Sequence, residues 1–365
     1  MTTDTDRYRP DYGVPPGWVL DEHLAVRELS AAEFARRCGR SAKLISNILA
    51  GEAPIEAGTA LQFEKVLGMD ASIWMGIEKD YQLFKARQAE TEKWQKHVEW
   101  YRGFPIKELI DRGYFQKPKD DRDGVGKLLT FFGVASVEAW SERFAKANVA
   151  YRHSPSFKSA DEALSSWLRM GELEVESLEI PPYDANNFRQ ALQQIRLLTI
   201  EKEKAIFLPR VTQLCNDAGV AFSLVKLVRN AALSGASRWL SPRRGSIQLS
   251  ARYKSDDHLW FSFFHEAAHL LLHPKKLIFI NEKENKGAVT QLEQEADDWA
   301  ANFLIPKNRW KAFKQIRPIT KDRVITLAQE LRIAPGIIVG RLQHEKALPW
   351  NIKLNNLKTR YRWSD

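Results

Sequence analysis

The stretch LWFSFFHEAAHLLLH, residues 259–273, decides the fold of the carboxy-terminal half of this chain. It is apolar enough to form a buried helix, yet it contains the spacing His-Glu-x-x-His at 265–269. On a helix, His265 and His269 lie one turn apart on the same face, so both imidazoles can bind one zinc ion. Glu266 lies beside them, where it can act as general base toward a water molecule at the metal. The stretch therefore predicts a catalytic Zn2+ site on a buried helix.

A catalytic zinc needs three protein ligands and one open position, so a third ligand must come from elsewhere. His273 continues the four-residue spacing, but ligands at i, i+4 and i+8 span about 12 Å of helix, too far for one ion. The next helical segment, QLEQEADDWAANFLIP (291–306), offers Glu295, and Asp298 one turn later could orient a ligand histidine. Glu293 projects about 160° away from Glu295, so only one of the two can face the metal.

A second motif lies near the amino terminus, in SAAEFARRCGRSAKLISNILA at 30–50. Ser30 can cap one helix and Ser41 a second, and Gly39 permits the left-handed turn that ends the first. Two short helices joined by such a turn form a helix-turn-helix, whose second helix enters the major groove of DNA. Packing in an ordinary helical bundle is the alternative interpretation. The predicted DNA-facing residues are Arg40, Ser41, Ala42, Lys43, Ser46 and Asn47.

Length and composition exclude several classes of protein. The chain has 365 residues, with 55 Lys and Arg against 46 Asp and Glu, a formal charge of +9. No apolar run approaches the roughly 18 residues that span a bilayer, and the polar start of the chain is not a signal peptide, so no membrane contact is expected. Cys38 and Cys215 stand far apart, which excludes a disulfide framework and a cysteine-rich zinc site and predicts a cytoplasmic protein.

The positive charge is unevenly distributed. Residues 1–90 hold 11 basic and 14 acidic side chains, whereas 299–365 hold 14 and 4. A helix-turn-helix in the first segment would therefore depend on a local run of arginine and lysine. The basic, aromatic tail suits a second contact with a polyanion or an acidic protein. A solvated surface with its tryptophans packed inward is the alternative.

The periodicity along the chain predicts a mainly α-helical protein with a small β-sheet. Strand character is confined to 221–250, where GSIQLS (245–250) could be the edge strand that pairs with an extended substrate. The expected organisation is a flexible arm at 1–13, a helix-turn-helix domain at 14–88, a helical linker and middle region at 89–219, a zincin-like α+β domain at 220–345 and a basic tail at 346–365.

The amino-terminal region resembles a known family. Residues 14–88, with VPPGWVL, NILAGEAPI and a W-x-x-x-E-x-x-Y pattern, are similar to the HigA-type antitoxin branch of the XRE helix-turn-helix regulators. The resemblance implies a lambda-repressor-like bundle and a homodimer that binds a double-stranded DNA operator and represses its own promoter. It also implies a cognate toxin as a protein partner.

The carboxy-terminal region resembles a second family. SRWLS, LSARYKSDDHLWFSFFHEAAHLLLH and EQEADDWAANFLIP together look like the ImmA/IrrE metallopeptidases. This resemblance implies that His265, His269 and Glu295 bind zinc and that Glu266 is the catalytic base. It further implies an endopeptidase that cleaves a repressor protein under stress.

Two hypotheses follow for the whole chain. The first is a DNA-binding transcriptional regulator fused to a zinc-dependent endopeptidase that cleaves a repressor or partner protein in a stress or toxin–antitoxin-like circuit. The second is a non-catalytic HigA-like antitoxin and autorepressor that uses the zincin fold as an interaction scaffold. The second is favoured by the lack of an obvious donor for the developing oxyanion, for which Arg252, Tyr253 and His344 are the candidates.

Overall fold

The computed structural model describes residues 12–145, 161–250, 255–273, 286–316 and 318–361, with the backbone alone at 145 and 286–290. The chain divides into two compact units, Met1–Val98 and Glu99–Asp365. It is mainly α-helical with one small three-stranded sheet, which confirms the predicted fold class. Within the described ranges, no helix combines the length and the apolar character that crossing a membrane requires.

The amino-terminal unit contains the predicted helix-turn-helix. Ser30 and Ser41 each accept a hydrogen bond from a backbone N–H in the first turn of the helix that follows. Gly39 ends the first of these helices in the left-handed conformation, with φ of 64°. Phe34 and Ile45 from the two helices are fully buried in the core. The helices of the unit are α1 (Pro16–Val26), α2 (Ala31–Cys38), α3 (Ala42–Leu49), α4 (Ala57–Leu67) and α5 (Ala71–Trp94).

Short helices and an aromatic cluster begin the carboxy-terminal unit. Trp100, Phe104, Phe132 and Trp140 pack against one another with ring centroids 4.9 to 6.1 Å apart. These rings hold together helices that are too short to be stable alone. The helices are α6 (Val98–Arg102), α7 (Ile106–Asp111), α8 (Asp121–Phe132) and α9 (Val137–Trp140), with a π-helical turn at Ser141–Ala145.

The sheet has the order β1-β3-β2, formed by β1 (Val220–Leu224), β2 (Gly235–Ser241) and β3 (Arg244–Leu249). β3 pairs in parallel with β1 and antiparallel with β2. The expectation that residues 245–250 form an edge strand is therefore wrong, because both sides of β3 are paired. Among the described residues, β2 is the edge strand on the side that faces the candidate site.

Helices cover both faces of the sheet. Because side chains alternate along a strand, Ser237 of β2 hydrogen-bonds to α13 (Asp256–Leu272), while Arg238 hydrogen-bonds to α10 (Asp161–Val175). The indole N–H of Trp167 in α10 also donates to a backbone carbonyl just after β1. The sheet is thus the middle layer between α10 and the helix that carries the His-Glu-x-x-His motif.

The rest of the unit surrounds a single hydrophobic core that the sheet and α13 share with the flanking helices. The compact unit that contains the metal helix begins at Glu99 and so includes most of the 89–219 segment that was expected to form a helical linker and middle region. A small sheet with two apolar faces needs this cover. The flanking helices are α11 (Ala185–Leu198), α12 (Lys204–Asp217), α14 (Lys286–Leu304), α15 (Lys307–Gln315), α16 (Lys321–Leu331) and α17 (Pro335–His344), with a 3-10 turn at Lys353–Leu357.

The end of the chain packs onto this unit. Lys358 Nζ donates to the buried carboxylate of Asp257 at 2.6 Å, at the start of α13. The Tyr361 ring is buried against Phe207 and only 4% exposed. Lys358 is one of the basic residues of the tail that was expected to contact a polyanion, and it is instead paired with Asp257 inside the protein. The final residues, 362–365, lie outside the described ranges.

Candidate metal centre and DNA-facing helix

The candidate metal centre is built on α13. Phe263, Phe264 and Ala267 of this helix are buried and pack in the hydrophobic core, which holds the helix in place. His265 and His269 lie one turn apart, and their Nε2 atoms approach to 3.1 Å. Both imidazoles therefore direct the same nitrogen to one point, as the spacing predicted.

The third member of the cluster is Glu293, not Glu295. Glu293 places Oε2 3.3 Å from His265 Nε2 and Oε1 3.5 Å from His269 Nε2. One ligand atom from each of the three residues lies within 4.8 Å of the others. Glu295 lies instead on another side of α14, accepts a hydrogen bond from Gln291 and is 46% exposed. The structure thus brings Glu293, and not the expected Glu295, next to the histidine pair.

Asp297 similarly takes the place expected for Asp298. The His265 Nδ1 atom lies 2.8 Å from Asp297 Oδ1, the contact that would fix the ring orientation of a ligand histidine. Asp298 accepts a hydrogen bond from Gln294 on the exposed side of the helix. Glu293 and Asp297 are four residues apart and so share one helix face. This spacing was present in the sequence, but Gln294 and Asp298 have it too, so it does not by itself show which pair faces the histidines.

Two distant arginines hold the far end of α14. Arg196 donates to the carbonyls of Phe303 and Leu304, and Arg341 donates to those of Ala301 and Ile305. The last carbonyls of a helix lack intrahelical partners, and the guanidinium groups bind them and complement the helix dipole, although Ala301 also accepts a hydrogen bond from the Ile305 N–H. These contacts anchor the carboxy-terminal end of α14.

Glu266 lies behind the histidine pair and faces the edge strand. Its side chain is buried, and its Oε2 accepts a hydrogen bond from the Ser237 hydroxyl at 2.7 Å. Burial raises the pKa of Glu266 to about 7, although the neighbouring His265 opposes this rise. A carboxylate with such a pKa can accept and return a proton near neutral pH.

The pKa values within the cluster are shifted in opposite directions. Burial by itself would lower the pKa of His265, but hydrogen bonds to Asp297 and Glu293 raise it to about 10. Burial and the neighbouring His265 lower the pKa of His269 to about 4, which leaves a lone pair on that ring. The histidines keep the pKa of Glu293 below its usual value even though burial opposes this. Two imidazoles and one carboxylate are a donor set that suits Zn2+.

Residues 226–343 match the family model described as Peptidase_M78, IrrE N-terminal-like domain. The carboxy-terminal unit contains an IrrE N-terminal-like domain. The IrrE-like domain, as matched, includes the histidine pair, Glu266 and Glu293, together with β2 and β3. It begins after β1, although β1 and the helices before it share the core of the domain.

Solved structures provide a second comparison. The chain is 25% identical to a candidate antidote protein of a plasmid maintenance system from Nostoc punctiforme, over 23% of this chain and 92% of that one, with a TM-score of 0.23. It is 27% identical to a HigA-family addiction module antidote protein from Coxiella burnetii, over 23% and 91%, with a TM-score of 0.21. It is 28% identical to Pseudomonas aeruginosa antitoxin HigA with the higBA promoter, over 22% and 90%, with a TM-score of 0.22. The comparison with curated proteins found no match.

The second helix of the helix-turn-helix presents the residues predicted to face DNA. Ser41, Ala42, Lys43 and Ser46 are exposed, and Arg40 and Asn47 are half-buried. Ile45 and Ile48 on the other face are buried and hold α3 in place. The basic run before α3 is partly neutralised, because Glu33 binds both Arg36 and Arg37. Arg40 donates to the side chain of Gln62, so its position is also fixed.

The oxyanion donor is the part of the site that the described residues do not supply. Arg252 and Tyr253 lie outside those residues. His344 is the third candidate, and its ring lies 6.5 Å from that of Phe261, which in turn lies 6.3 Å from the ring of His265. His344 is therefore on the same side of α13 as the ligand pair but separated from it by an aromatic ring.

Proposed function

We propose that this chain is a DNA-binding regulator whose carboxy-terminal unit is a zinc-dependent endopeptidase acting on a protein partner. The observation that carries the proposal is the convergence of His265, His269 and Glu293 beside a buried Glu266. Two histidines and a glutamate are a ligand set typical of catalytic zinc, since three protein ligands leave one position open. The IrrE-like domain match supports the same chemistry.

The residues of the chain have distinct parts in the proposed reaction. Bound Zn2+ would supply Lewis-acid activation of the scissile carbonyl and of water. Glu266 would take the proton of the attacking water and pass it to the leaving amine. Ser237 would hold the carboxylate of Glu266 in place through its 2.7 Å hydrogen bond. Asp297 would keep His265 in the orientation that directs Nε2 inward.

The edge strand supports a peptide as the substrate. Within the described part of the chain, β2 pairs with β3 on one side, and its Ser237 touches Glu266 on α13. An extended peptide that runs alongside β2 would lie next to the candidate base. Substrate recognition would then depend mainly on backbone hydrogen bonds.

Metal content and one isosteric variant test the enzyme proposal. Purified full-length protein should contain near-stoichiometric Zn2+ by elemental analysis, and His265→Ala and Glu293→Ala should lose it. Glu266→Gln should keep the zinc, because the residue is not a proposed ligand. In cells, new protein amino termini should appear with the wild type and not with Glu266→Gln.

Gln294→Ala is the matched control, because Gln294 lies on the same helix, is exposed and hydrogen-bonds to the exposed Asp298. Metal-free wild-type protein would contradict the zinc site. Identical sets of protein amino termini in wild-type and Glu266→Gln cells, with zinc present in both, would instead support the non-catalytic scaffold.

DNA binding is supported by the exposed face of α3. Lys43 and Ser46 lie where a recognition helix reaches base edges and phosphates. Selection of the full-length protein on a random duplex library should yield a two-fold symmetric sequence if the protein binds as a homodimer. Asn47→Ala should change the selected bases, whereas Lys43→Ala should weaken the binding of all sequences to a similar degree. A library that stays random after repeated selection would contradict sequence-specific binding.

A further inference from the structure

We propose that His273 and Glu295 form an arm that orients His269, so that each ligand histidine has its own supporting partner. The inference rests on the proposed metal site and assigns a function to two residues that the site itself does not use. His273 stands four residues after His269 but is too far along the helix to join the same ion. Glu295 is the carboxylate that points away from the ligand cluster.

The geometry divides each ligand ring into an inner and an outer nitrogen. The Nε2 atoms of His265 and His269 face each other at 3.1 Å and both lie near Glu293. Their Nδ1 atoms point outward, to Asp297 Oδ1 at 2.8 Å and to His273 Nδ1 at 2.8 Å. The outer contact has the same length in both cases, although one partner is a carboxylate and the other an imidazole.

The direction of the hydrogen bonds follows from the use of Nε2 as a ligand. A His269 that binds metal through Nε2 carries its proton on Nδ1, and this N–H then donates to the lone pair on His273 Nδ1. His273 in turn carries its proton on Nε2, which lies 3.5 Å from Glu295 Oε2. The arm therefore consists of the hydrogen bond from His269 to His273 and a longer electrostatic contact of 3.5 Å from His273 to Glu295.

The local backbone explains how His273 reaches this position. It is the C-cap of α13, with an extended backbone conformation of φ −103° and ψ 145°. Leaving the helical path lets its side chain turn back toward the preceding turn, where it is only 6% exposed. Its Nδ1 contacts His269, whereas its buried Nε2 has no hydrogen-bond partner among the described residues and lies 3.5 Å from Glu295 Oε2.

Zinc affinity of the full-length protein tests the arm. Competition of the wild type and variants with a chromophoric chelator should show about 10- to 100-fold weaker zinc binding for His273→Ala. His273→Asn should recover most of the affinity, because its amide oxygen can accept the same hydrogen bond. Glu295→Ala should show a smaller loss, and Gln294→Ala none.

The tautomer of His269 is a readout that a general packing defect would not reproduce. In zinc-free protein with 15N-labelled histidine, NMR should find the His269 proton on Nδ1 in the wild type and on both nitrogens in His273→Ala. Unchanged affinity with an unchanged tautomer in His273→Ala would overturn the arm. So would loss of zinc in Glu295→Ala combined with its retention in Glu293→Ala, because Glu295 would then be the ligand.

The two proposals fail in different ways. Wild-type protein that holds no zinc would refute the proposed function. The tautomer measurement on that same zinc-free sample would still decide whether His273 orients His269.

Discussion

The two units of the chain each contain a glutamate held between arginines, and they place it in opposite surroundings. In α2, the two oxygens of Glu33 accept hydrogen bonds of 3.0 and 2.9 Å from separate guanidinium groups. In α10, each of the two carboxylate oxygens of Glu172 accepts a hydrogen bond of 2.9 Å from a different arginine. The arginines beside Glu33 are 77% and 57% exposed, whereas those beside Glu172 are 11% and 9% exposed. The partners are Arg36 and Arg37 in the first case, and Arg169 and Arg238 in the second. A third arginine, the 44% exposed Arg143, also donates to Glu172 at 3.2 Å.

The difference shows that burial, not contact geometry, decides whether an ion pair holds the fold together or stays available to another partner. Water and salt compete with the charges around Glu33, so they remain available to another partner such as DNA. Arg169 and Arg238 are shielded from water, so loss of Glu172 would leave two buried charges without their carboxylate. The same residue types thus form an adjustable surface in one unit and a fixed joint between α10 and the sheet in the other.

Glu172→Ala is the strongest way to test this comparison. It would leave Arg169 and Arg238 buried without their carboxylate, so we expect a loss of about 3–5 kcal/mol in the free energy of unfolding of the carboxy-terminal unit. Urea denaturation of the full-length protein measures this loss. Glu176→Ala is the control, because Glu176 lies just beyond α10, 3.7 Å from Arg169, but is 63% exposed. Equal stability of the two variants would show that the buried pair is not a structural joint.

Two aspartates at helix starts, one buried and one exposed, extend the comparison to the pH dependence of stability. Asp256, at the start of α13, is fully buried, and this burial raises its pKa to about 7. Asp257, Lys358 and the Tyr361 ring are the titratable groups that face it. Since the folded state holds the proton more tightly than the unfolded state, its contribution to stability is present at low pH and is lost as pH rises from about 4 to 7.

Asp256→Asn should therefore become more stable than the wild type as pH rises through this window. We expect a difference of about 1–3 kcal/mol above pH 7, at about 1.4 kcal/mol per pKa unit, measured by urea denaturation at several pH values. The control is Asp70, the exposed N-cap of α5, whose pKa is lowered by hydrogen bonds from Ser72. Asp70→Asn should show the opposite sign, with a loss at neutral pH that shrinks as pH falls. A pH-independent difference for Asp256→Asn would refute the assignment.

How much the sequence could predict depends on how far apart the partners stand along the chain. Ser30 and Glu33, or His265 and His269, are within one helical turn, so their spacing alone places them. The partners Glu172 and Arg238 are 66 positions apart, and nothing in the local pattern connects them. The helix-turn-helix and the histidine pair were therefore predicted correctly, whereas the buried joint was not.

The choice between Glu293 and Glu295 shows where such predictions reach their limit. Both lie on a helix that the sequence identified, but which one faces the metal depends on the rotation of that helix about its axis. Ala296 and Ala300 are buried, and Glu293 shares their face, three and seven residues earlier. A ligand directed at a buried helix must lie on the core-facing stripe. The end of that helix is anchored by arginines from distant segments, which no local pattern contains.

The smallest expected effect lies in the exposed pair. Glu33→Gln removes the charge that neutralises Arg36 and Arg37 but keeps the backbone contact with Ser30. We expect roughly two- to fivefold tighter binding of the full-length protein to duplex DNA at low salt, with a steeper dependence of the binding constant on salt concentration. Fluorescence anisotropy at several salt concentrations measures both quantities. Glu22→Gln makes the same change in net charge at an exposed position of α1. If it tightens binding equally, the effect belongs to the net charge of the unit and not to the two arginines, and the exposed pair has no specific relation to DNA.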